Sequence, residues 1–270
     1  MQNLTKYSNE KIFERLLKNK STNNYWNYIS ELRKRKSKDI FEKSFLLTKS
    51  ENIKEKIIGI NVLAQFGYPR LHKKIILKRY LELLKTEKDK KVLSSILYAI
   101  GHNNENLTVN QINFICSFKK NTSVLIKHSL ISAILSKTEN LAIETLIELS
   151  NDKDSDIRDW ATFGLGTQIE IDNSEIRRAL WERVNDNDET TRDEAIFGLA
   201  KRKDIKIKEI LIKELKKIDE FGSLILEAIE EFQDKDFIKL IEKQISVNRK
   251  LKTVNEEWLT NTLEKLKEIE

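Results

Sequence analysis

The stretch NDKDSDIRDWATFGL, from Asn151 to Leu165, returns as NDNDETTRDEAIFGL from Asn185 to Leu199, with an offset of 34 residues. Nine of the 15 positions are identical, and they include Arg158 and Arg192. An internal repeat with a period of roughly 20–50 residues is typical of proteins that stack one supersecondary unit many times. The sequence therefore indicates an array of similar units.

Weaker copies of the unit lie on both sides of this pair. Each copy has a small or polar residue followed by an apolar one, and these anchors are spaced by 34, 34, 31, 34 and 30 residues. Apolar residues recur seven and three positions before the anchor, which is the spacing of one face of an α-helix. We therefore predict six inner helices. Their anchors are Gln65-Phe66, Ala99-Ile100, Ala133-Ile134, Gly164-Leu165, Gly198-Leu199 and Ala228-Ile229.

A second, outer helix is predicted before each inner helix. A short Asp/Asn-rich turn joins the two, since these side chains cap the free N–H groups of the helix that follows. One such unit cannot bury its apolar face alone, whereas a stack of units can. We predict a single all-α domain with N-terminal capping helices in 1–36, repeats in 37–245 and a C-terminal cap in 246–270. Predicted outer helices include Ser37–Lys49, Leu71–Lys85, Glu139–Leu149, Ser174–Val184, Ile205–Ile218 and Asp236–Ile245.

The composition excludes several other classes of protein. The 270 residues include one proline, seven glycines and one cysteine. Glycine and proline mark the turns of β-proteins, and glycines form phosphate-binding loops, so sandwiches, barrels and Rossmann or P-loop enzymes are disfavoured. Cys116 alone can form neither a disulfide framework nor a Cys-based zinc site. The N-terminus lacks the apolar core of a signal peptide and no stretch suits a membrane span, so we expect a cytoplasmic protein.

The repeats resemble those of the HEAT family. The short bacterial HEAT-like pattern is matched in one unit by Asp154, Asp156, Ile157, Arg158, Ala161, Gly164 and Leu165. In the next unit it is matched by Asp188, Arg192, Ala195, Gly198 and Leu199. The resemblance covers about residues 37–245. It implies a right-handed α-solenoid, or superhelix, of about six HEAT-like helix-turn-helix repeats, which binds another macromolecule on the concave face lined by the inner helices.

Charge is distributed unevenly along the chain. The formal net charge is +6, but residues 1–91 carry +13, residues 92–150 carry zero and residues 151–270 carry −7. Such asymmetry concerns binding partners more than the fold.

The face of the inner helices opposite their apolar side is predicted to line an acidic and aromatic groove. The 18 positions one, four and five residues before the anchors hold four carboxylates and no Lys or Arg. This pattern favours a protein partner with a basic peptide or patch. Packing between repeats is the alternative role for Trp160 and Phe163, and simple solvation is the alternative for Asp159 and Asp193. The predicted contact residues are Ser94, Tyr98, His128, Asp159, Trp160, Phe163, Asp193, Glu194 and Phe197.

Two arginines of the strong repeats are predicted to have a structural role. Helical spacing places Arg158 and Arg192 on the apolar side of the inner helices, where a charged group needs a hydrogen-bonding or ionic partner. We expect each to bind Asp side chains or carbonyl groups of the adjacent turn, in a ladder with Asp154 and Asp188. A ligand-binding arginine is the alternative.

No residue pattern indicates catalysis, a metal or a cofactor. His72, His102 and His128 lack a second ligand at a recognised metal spacing. Asp159 beside Trp160 suggests a similarity to HEAT-like DNA glycosylases, but the groove of those enzymes must be basic to bind phosphates. HEAT-like bilin lyases are a further enzyme alternative. We predict a non-catalytic, monomeric scaffold or adaptor that binds a protein and needs no cofactor.

The run RKRKSK at residues 33–38 supports the competing interpretation. Cations suit the C-terminal end of a helix, so a solvated helix end is one explanation. The other is an anion or nucleic-acid contact through Arg33, Lys34, Arg35 and Lys36.

Overall fold

The computed structural model describes residues 4–269, and within this range the chain is entirely helical. It contains sixteen α-helices and no strand in the part described. Four short 3-10 helices lie at Leu4–Lys6, Asn104–Asn106, Ser117–Lys120 and Ile205–Ile207. The all-α prediction is therefore confirmed. The predicted N-terminal cap also includes residues 1–3, which lie outside the described range.

The chain divides into two compact units, Met1–Leu135 and Ser136–Glu270. The helices of the first are α1 (Asn9–Lys18), α2 (Thr22–Arg35), α3 (Lys38–Leu47), α4 (Ile53–Ala64), α5 (Lys73–Thr86), α6 (Lys90–Gly101), α7 (Val109–Cys116) and α8 (Val124–Ile134). Those of the second are α9 (Asn140–Leu149), α10 (Ser155–Gly166), α11 (Ser174–Trp181), α12 (Glu189–Lys201), α13 (Lys208–Leu215), α14 (Ser223–Phe232), α15 (Asp236–Leu251) and α16 (Glu256–Lys267).

Helices pack in pairs, and the even-numbered helices form rows. In the first unit α2 packs against α4, α4 against α6 and α6 against α8. In the second unit α10, α12, α14 and α16 pack against one another in the same sequential way. Each odd-numbered helix packs against the even-numbered helix that follows it. The six predicted inner helices are α4, α6, α8, α10, α12 and α14, whereas α1 and α2 lie in the predicted N-terminal cap and α16 in the C-terminal cap.

The turns between paired helices are closed by Asp and Asn caps. Asp154 accepts a hydrogen bond from the Ile157 N–H at 3.3 Å, and Asp188 accepts one from the Thr191 N–H at 2.9 Å. In the first unit Asn52 caps α4 by accepting from the Glu55 N–H at 3.2 Å. A side-chain acceptor satisfies a backbone N–H that has no partner within its own helix. The repeated Asp and Asn residues thus fix where the inner helices begin.

The apolar face predicted for the inner helices forms the core of each unit. The residues three positions before the six anchors are all buried, and they are Val62, Ile96, Leu130, Ala161, Ala195 and Ile225. The sixth copy departs from the pattern seven positions before its anchor. Phe221 is 77% exposed there, because α14 begins only at Ser223 and Phe221 lies in the turn before it.

The last outer helix is longer than the predicted Asp236–Ile245. This helix, α15, continues through Ile245 to Leu251. Its final turn is held by the buried Asn248, whose amide donates to the Val254 carbonyl at 2.8 Å and accepts from the Val254 N–H at 2.9 Å. None of the helices in residues 4–269 is both long enough and apolar enough to cross a bilayer.

Candidate functional site

Two glycines bring the inner helices α10 and α12 of the second unit into close contact. A Cβ atom added to Gly198 would lie 2.6 Å from the Cα of Gly166, and one added to Gly166 would lie 2.8 Å from the carbonyl oxygen of Glu194. Real carbon atoms do not approach so closely, so both positions require glycine. The side chains that flank this crossing are consequently held near one another.

Asp159 on α10 and Asp193 and Glu194 on α12 are close enough for the charges of the two aspartates to act on Glu194, and we call the three carboxylates the acidic cluster. Burial, with smaller contributions from the charges of Asp159, Asp193 and Glu227, raises the pKa of Glu194 to about 7. Burial is also the largest cause that raises the pKa of Asp159 and of Asp193, each to about 6. The ionised cluster is therefore unfavourable in the isolated protein.

The acidic cluster has no cationic partner of its own in the part of the chain that the structure describes. Glu194 accepts a hydrogen bond from the Thr167 hydroxyl at 2.9 Å. Arg192 stabilises the charge of Asp193 without forming an ion pair with it. A cation supplied from outside would relieve the repulsion among the three groups.

Aromatic side chains border the acidic cluster. Trp160 is 40% exposed and packs edge-to-face on Phe163, with 5.7 Å between ring centroids. The ring of Phe163 is half-buried, and Phe197 is 9% exposed. Of these three aromatic side chains, Trp160 exposes the largest fraction of its surface.

The acidic surface continues on α14 and α16, where sequence reasoning named no contact. A cleft of about 410 Å³ is lined by Phe197, Glu227, Glu231 and Trp258, among others. Lys265, also in the lining, is paired with Glu230 at 2.6 Å. Trp258 lies in the predicted C-terminal cap, for which the sequence predicts no role in binding.

The three predicted contacts in the first unit differ in accessibility. Ser94 is only 4% exposed, so its inclusion among the contact residues is corrected. It is buried because the close packing of α4, α6 and α8 covers this flank of the helix. Tyr98 Oη and His128 Nδ1 lie 2.7 Å apart and share a hydrogen bond, and both side chains are half-buried. Burial raises the pKa of Tyr98.

Arg158 joins two consecutive repeats. Its Nε and Nη2 atoms donate to the two carboxylate oxygens of Asp186, and Nη1 donates to the carbonyls of Asp152 and Lys153 at 3.1 and 3.2 Å. Arg158 lowers the pKa of Asp186 by hydrogen bonding and by charge, against the opposing effect of burial. A bidentate pair of this kind fixes geometry as well as adding energy.

Arg192 occupies the equivalent position in the next repeat but has no such partner. Its Nη1 donates to the Asp186 carbonyl at 3.0 Å, and Glu189 lies 3.8 Å away. Arg158 thus forms the one strong bridge of the two, and its acid is Asp186. The predicted acids Asp154 and Asp188 instead accept from backbone N–H groups as helix caps.

Sequence reasoning missed a second buried arginine. Arg202 donates to the carbonyls of Leu165 and Gly166 in α10, at 2.8 and 3.1 Å, and to that of Gly198 at 2.9 Å. Asn103 stands at the same register position in the first unit, and its amide donates to the carbonyls of Ala64 and Ala99. Both residues cap the end of the preceding inner helix. A polar residue four positions after the anchor was the available signal.

The four residues of the basic run separate in space. Arg35 is bound to Glu31 and to the carbonyls of Leu4 and Tyr7, which makes it structural. Lys36 donates to the Tyr68 carbonyl. Arg33 and Lys34 instead line a cleft.

The histidines and other metal-ligating side chains form no metal centre among residues 4–269, where no group of three or more His, Cys, Asp or Glu is suitably placed. His72 packs on Phe41, with 4.2 Å between ring centroids. Cys116 is buried.

Comparison with known proteins finds similarity to YibA proteins, both in sequence and in structure. No protein-family model matches the chain. The protein YibA of Escherichia coli K12 is 33% identical over 153 residues, and YibA of Escherichia coli O157:H7 gives the same values. The match covers 57% of this chain and 51% of YibA, so the chain spans about half the length of the curated relatives it matches. The crystal structure of Escherichia coli YibA aligns with a TM-score of 0.73 and 23% identity, over 97% of this chain and 93% of that one. The two proteins share a fold.

Proposed function

We propose that the protein is a non-catalytic α-solenoid of HEAT-like repeats that binds a Lys/Arg-rich segment of a protein partner. The proposed docking surface consists of the acidic cluster, the exposed ring of Trp160 and the cleft beside Trp258. The repeat of 34 residues and the rows of paired helices support the solenoid architecture. Cytoplasmic location and a monomeric state remain part of the proposal.

The observation that carries the proposal is the raised pKa of three neighbouring carboxylates. Asp159, Asp193 and Glu194 have pKa values of about 6, 6 and 7, because each is partly buried and forms no ion pair within the described residues. Groups arranged in this way gain free energy when a positive charge approaches them. A partner that brings ammonium or guanidinium groups supplies that charge.

The aromatic side chains fit the same kind of partner. Trp160 beside the cluster and Trp258 in the neighbouring cleft are the ring type that binds cations most strongly on its face. Arginine combines such stacking with bidentate hydrogen bonds to carboxylates. The surface therefore favours arginine over lysine in the bound segment.

The direct experiment is fluorescence anisotropy with a labelled nine-residue oligoarginine peptide. The test variant carries Asp159→Asn, Asp193→Asn and Glu194→Gln. The control carries the same loss of charge on outer helices or their ends, as Glu144→Gln, Glu182→Gln and Glu209→Gln, all at exposed positions. We expect the test variant to lose at least about tenfold in affinity and the control to lose less than about twofold. Equal losses would show that net charge alone attracts the peptide and would refute the docking surface.

A further inference from the structure

A second cleft, in the first unit, carries the opposite charge. It has a volume of about 550 Å³ and lies where the C-terminal ends of α2, α4 and α6 converge. Its charged and titratable lining consists of Arg33, Lys34, Arg70 and His102, and no carboxylate is among the lining residues. We call it the basic cleft. Its size is that of a small-molecule site, for which roughly 300–1,000 Å³ is usual.

Arg33 is a partly buried cation without a carboxylate partner. Its Nε and Nη2 atoms both donate to the carbonyl oxygen of Asn61, at 3.0 and 2.6 Å. Burial lowers the pKa of Arg33. A desolvated guanidinium that is paired only with a carbonyl gains energy from an incoming anion. The two hydrogen bonds to the Asn61 carbonyl also fix the orientation of the guanidinium.

The other cations add to the positive potential. Lys34 is exposed and forms no ion pair within the described residues. Arg70 is paired with Glu105, which also lies 3.2 Å from Lys73. Burial lowers the pKa of His102, and the charges of Arg33 and Arg70 lower it further. Arg33 and Arg70 therefore both act on this imidazole as positive charges.

An aromatic ring stands beside these cations. Tyr68 is 87% exposed, although the backbone around it is well held. The Gly67 N–H donates to the Arg33 carbonyl at 3.0 Å, and the Lys36 ammonium donates to the Tyr68 carbonyl. Gly67 has φ of +84°, which favours glycine. An exposed ring on a fixed backbone provides a surface for stacking.

The negative ends of the helix dipoles account for part of this arrangement but not for all of it. Cations are favoured at helix C-terminal ends, and Lys34 in the last turn of α2 follows that rule. The dipoles also disfavour carboxylates at these helix ends, but they do not explain an exposed tyrosine at the same place. A planar ligand that carries an anionic group would use both the ring and the cations.

We propose that the basic cleft binds a nucleoside phosphate. The phosphate groups contact Arg33, Lys34 and Arg70, and the base stacks on Tyr68. This site is independent of the acidic surface of the second unit, and the two can be tested separately.

Isothermal titration calorimetry of the full-length protein with ADP, inorganic pyrophosphate and adenosine tests the proposal. We expect ADP to bind most tightly, pyrophosphate more weakly and adenosine weakest. Lys34→Ala should weaken both phosphate ligands about tenfold. Tyr68→Ala should weaken ADP about tenfold and leave pyrophosphate unchanged. Both residues are exposed, so neither change should prevent folding.

Lys78→Ala is the matched control, because Lys78 is an exposed lysine on α5 that does not line the cleft. It should leave ADP binding unchanged. No heat of binding at millimolar ADP would overturn the proposal, and so would an equal effect of Lys78→Ala and Lys34→Ala. Equal losses of ADP and pyrophosphate affinity in Tyr68→Ala would exclude the stacked base. A single-stranded oligonucleotide that binds more tightly than ADP and depends equally on Lys78 would replace the proposal with nucleic-acid binding.

Discussion

The guanidinium of Arg158 binds both carboxylate oxygens of Asp186, with Nε–Oδ2 and Nη2–Oδ1 distances of 2.9 and 2.7 Å. Arg158 belongs to α10, and Asp186 lies in the turn before α12, one repeat later. Asp186 also accepts a hydrogen bond from the Asp188 N–H at 3.0 Å and so shapes the turn that caps α12. One side chain therefore ties the start of one inner helix to the start of the next.

Arg158→Ala should lower the free energy of unfolding by about 2 kcal/mol, because it leaves Asp186 without its main partner. Arg192→Ala should cost only about 0.5 kcal/mol, since Arg192 has no bidentate acid. Urea denaturation followed by circular dichroism measures both values. Similar losses in the two variants would contradict the structural difference between the repeats.

Arg202→Met should be more damaging, at about 3 kcal/mol. The variant leaves the Leu165, Gly166 and Gly198 carbonyls without the donor that the buried guanidinium supplies. Lys206→Met, at an exposed position, is the control and should be nearly neutral. If thermal unfolding places both variants within about 1 °C of the wild type, Arg202 is not the cap described here.

For Gly198→Ala, the sign of the change in the free energy of unfolding tests the close contact between α10 and α12. Alanine favours a helix over glycine by about 1 kcal/mol, so an uncrowded site would be stabilised. Here the added Cβ would lie 2.6 Å from the Cα of Gly166. We expect a net loss of about 2 kcal/mol in chemical denaturation. A gain in stability would show that α10 and α12 can separate at this point.

Stability should depend on pH through the acidic cluster. Unfolded Asp and Glu lose their protons near pH 4, whereas Asp159 and Asp193 hold theirs to about pH 6 and Glu194 to about pH 7. The folded state then binds more protons across this range, so these groups make the protein less stable as the pH rises from about 4 to about 7. The variant with Asp159→Asn, Asp193→Asn and Glu194→Gln should lose about 1 kcal/mol less than the wild type over this range, after allowance for solvent screening. Identical profiles of melting temperature against pH for the two proteins would refute the shifted values.

Binding of the arginine peptide should show the opposite trend. Only the ionised cluster attracts a cation, so affinity should rise by about tenfold between pH 5.5 and pH 7.5. At pH 6.5 binding should release protons, which calorimetry detects when buffers of different ionisation enthalpy are compared. The variant with Asp159→Asn, Asp193→Asn and Glu194→Gln should release none. A pH-independent affinity in the wild type would assign the attraction to other carboxylates.

The repeat pattern predicted the inner helices correctly, because the apolar residues three positions before the anchors mark the buried face of each helix. It failed where a local feature overrides the period. Phe221 stands at a core position in the pattern, yet the late start of α14 leaves it in a turn. The end of α15 was missed because Asn248 closes that helix through contacts with Val254, six residues further on.

The binding surfaces were less predictable than the helices. Helical spacing within the repeats placed Asp159, Asp193 and Glu194 on the face opposite the apolar side. It predicted Ser94 to be equally accessible, because spacing within one helix takes no account of the neighbouring helices. Only some of the residues that line the basic cleft could be identified from the sequence. Arg33 and Lys34 stood out as a run, whereas Tyr68 and His102 reach the cleft from helix ends that lie more than 30 residues away in the chain.

The inter-helix hydrogen bonds described above also constrain how the chain can acquire its structure. Arg158 reaches Asp186 across 28 residues, Arg202 reaches Leu165 across 37, and Asn103 reaches Ala64 across 39. These sequence separations are small compared with the length of the chain, so the contacts close small loops and favour rapid folding. Each helix pair can therefore dock as soon as its predecessor is complete, so the order of synthesis is also a workable order of assembly. Arg158 precedes Asp186 in the chain, so the ion pair between them can form as soon as Asp186 has been synthesised.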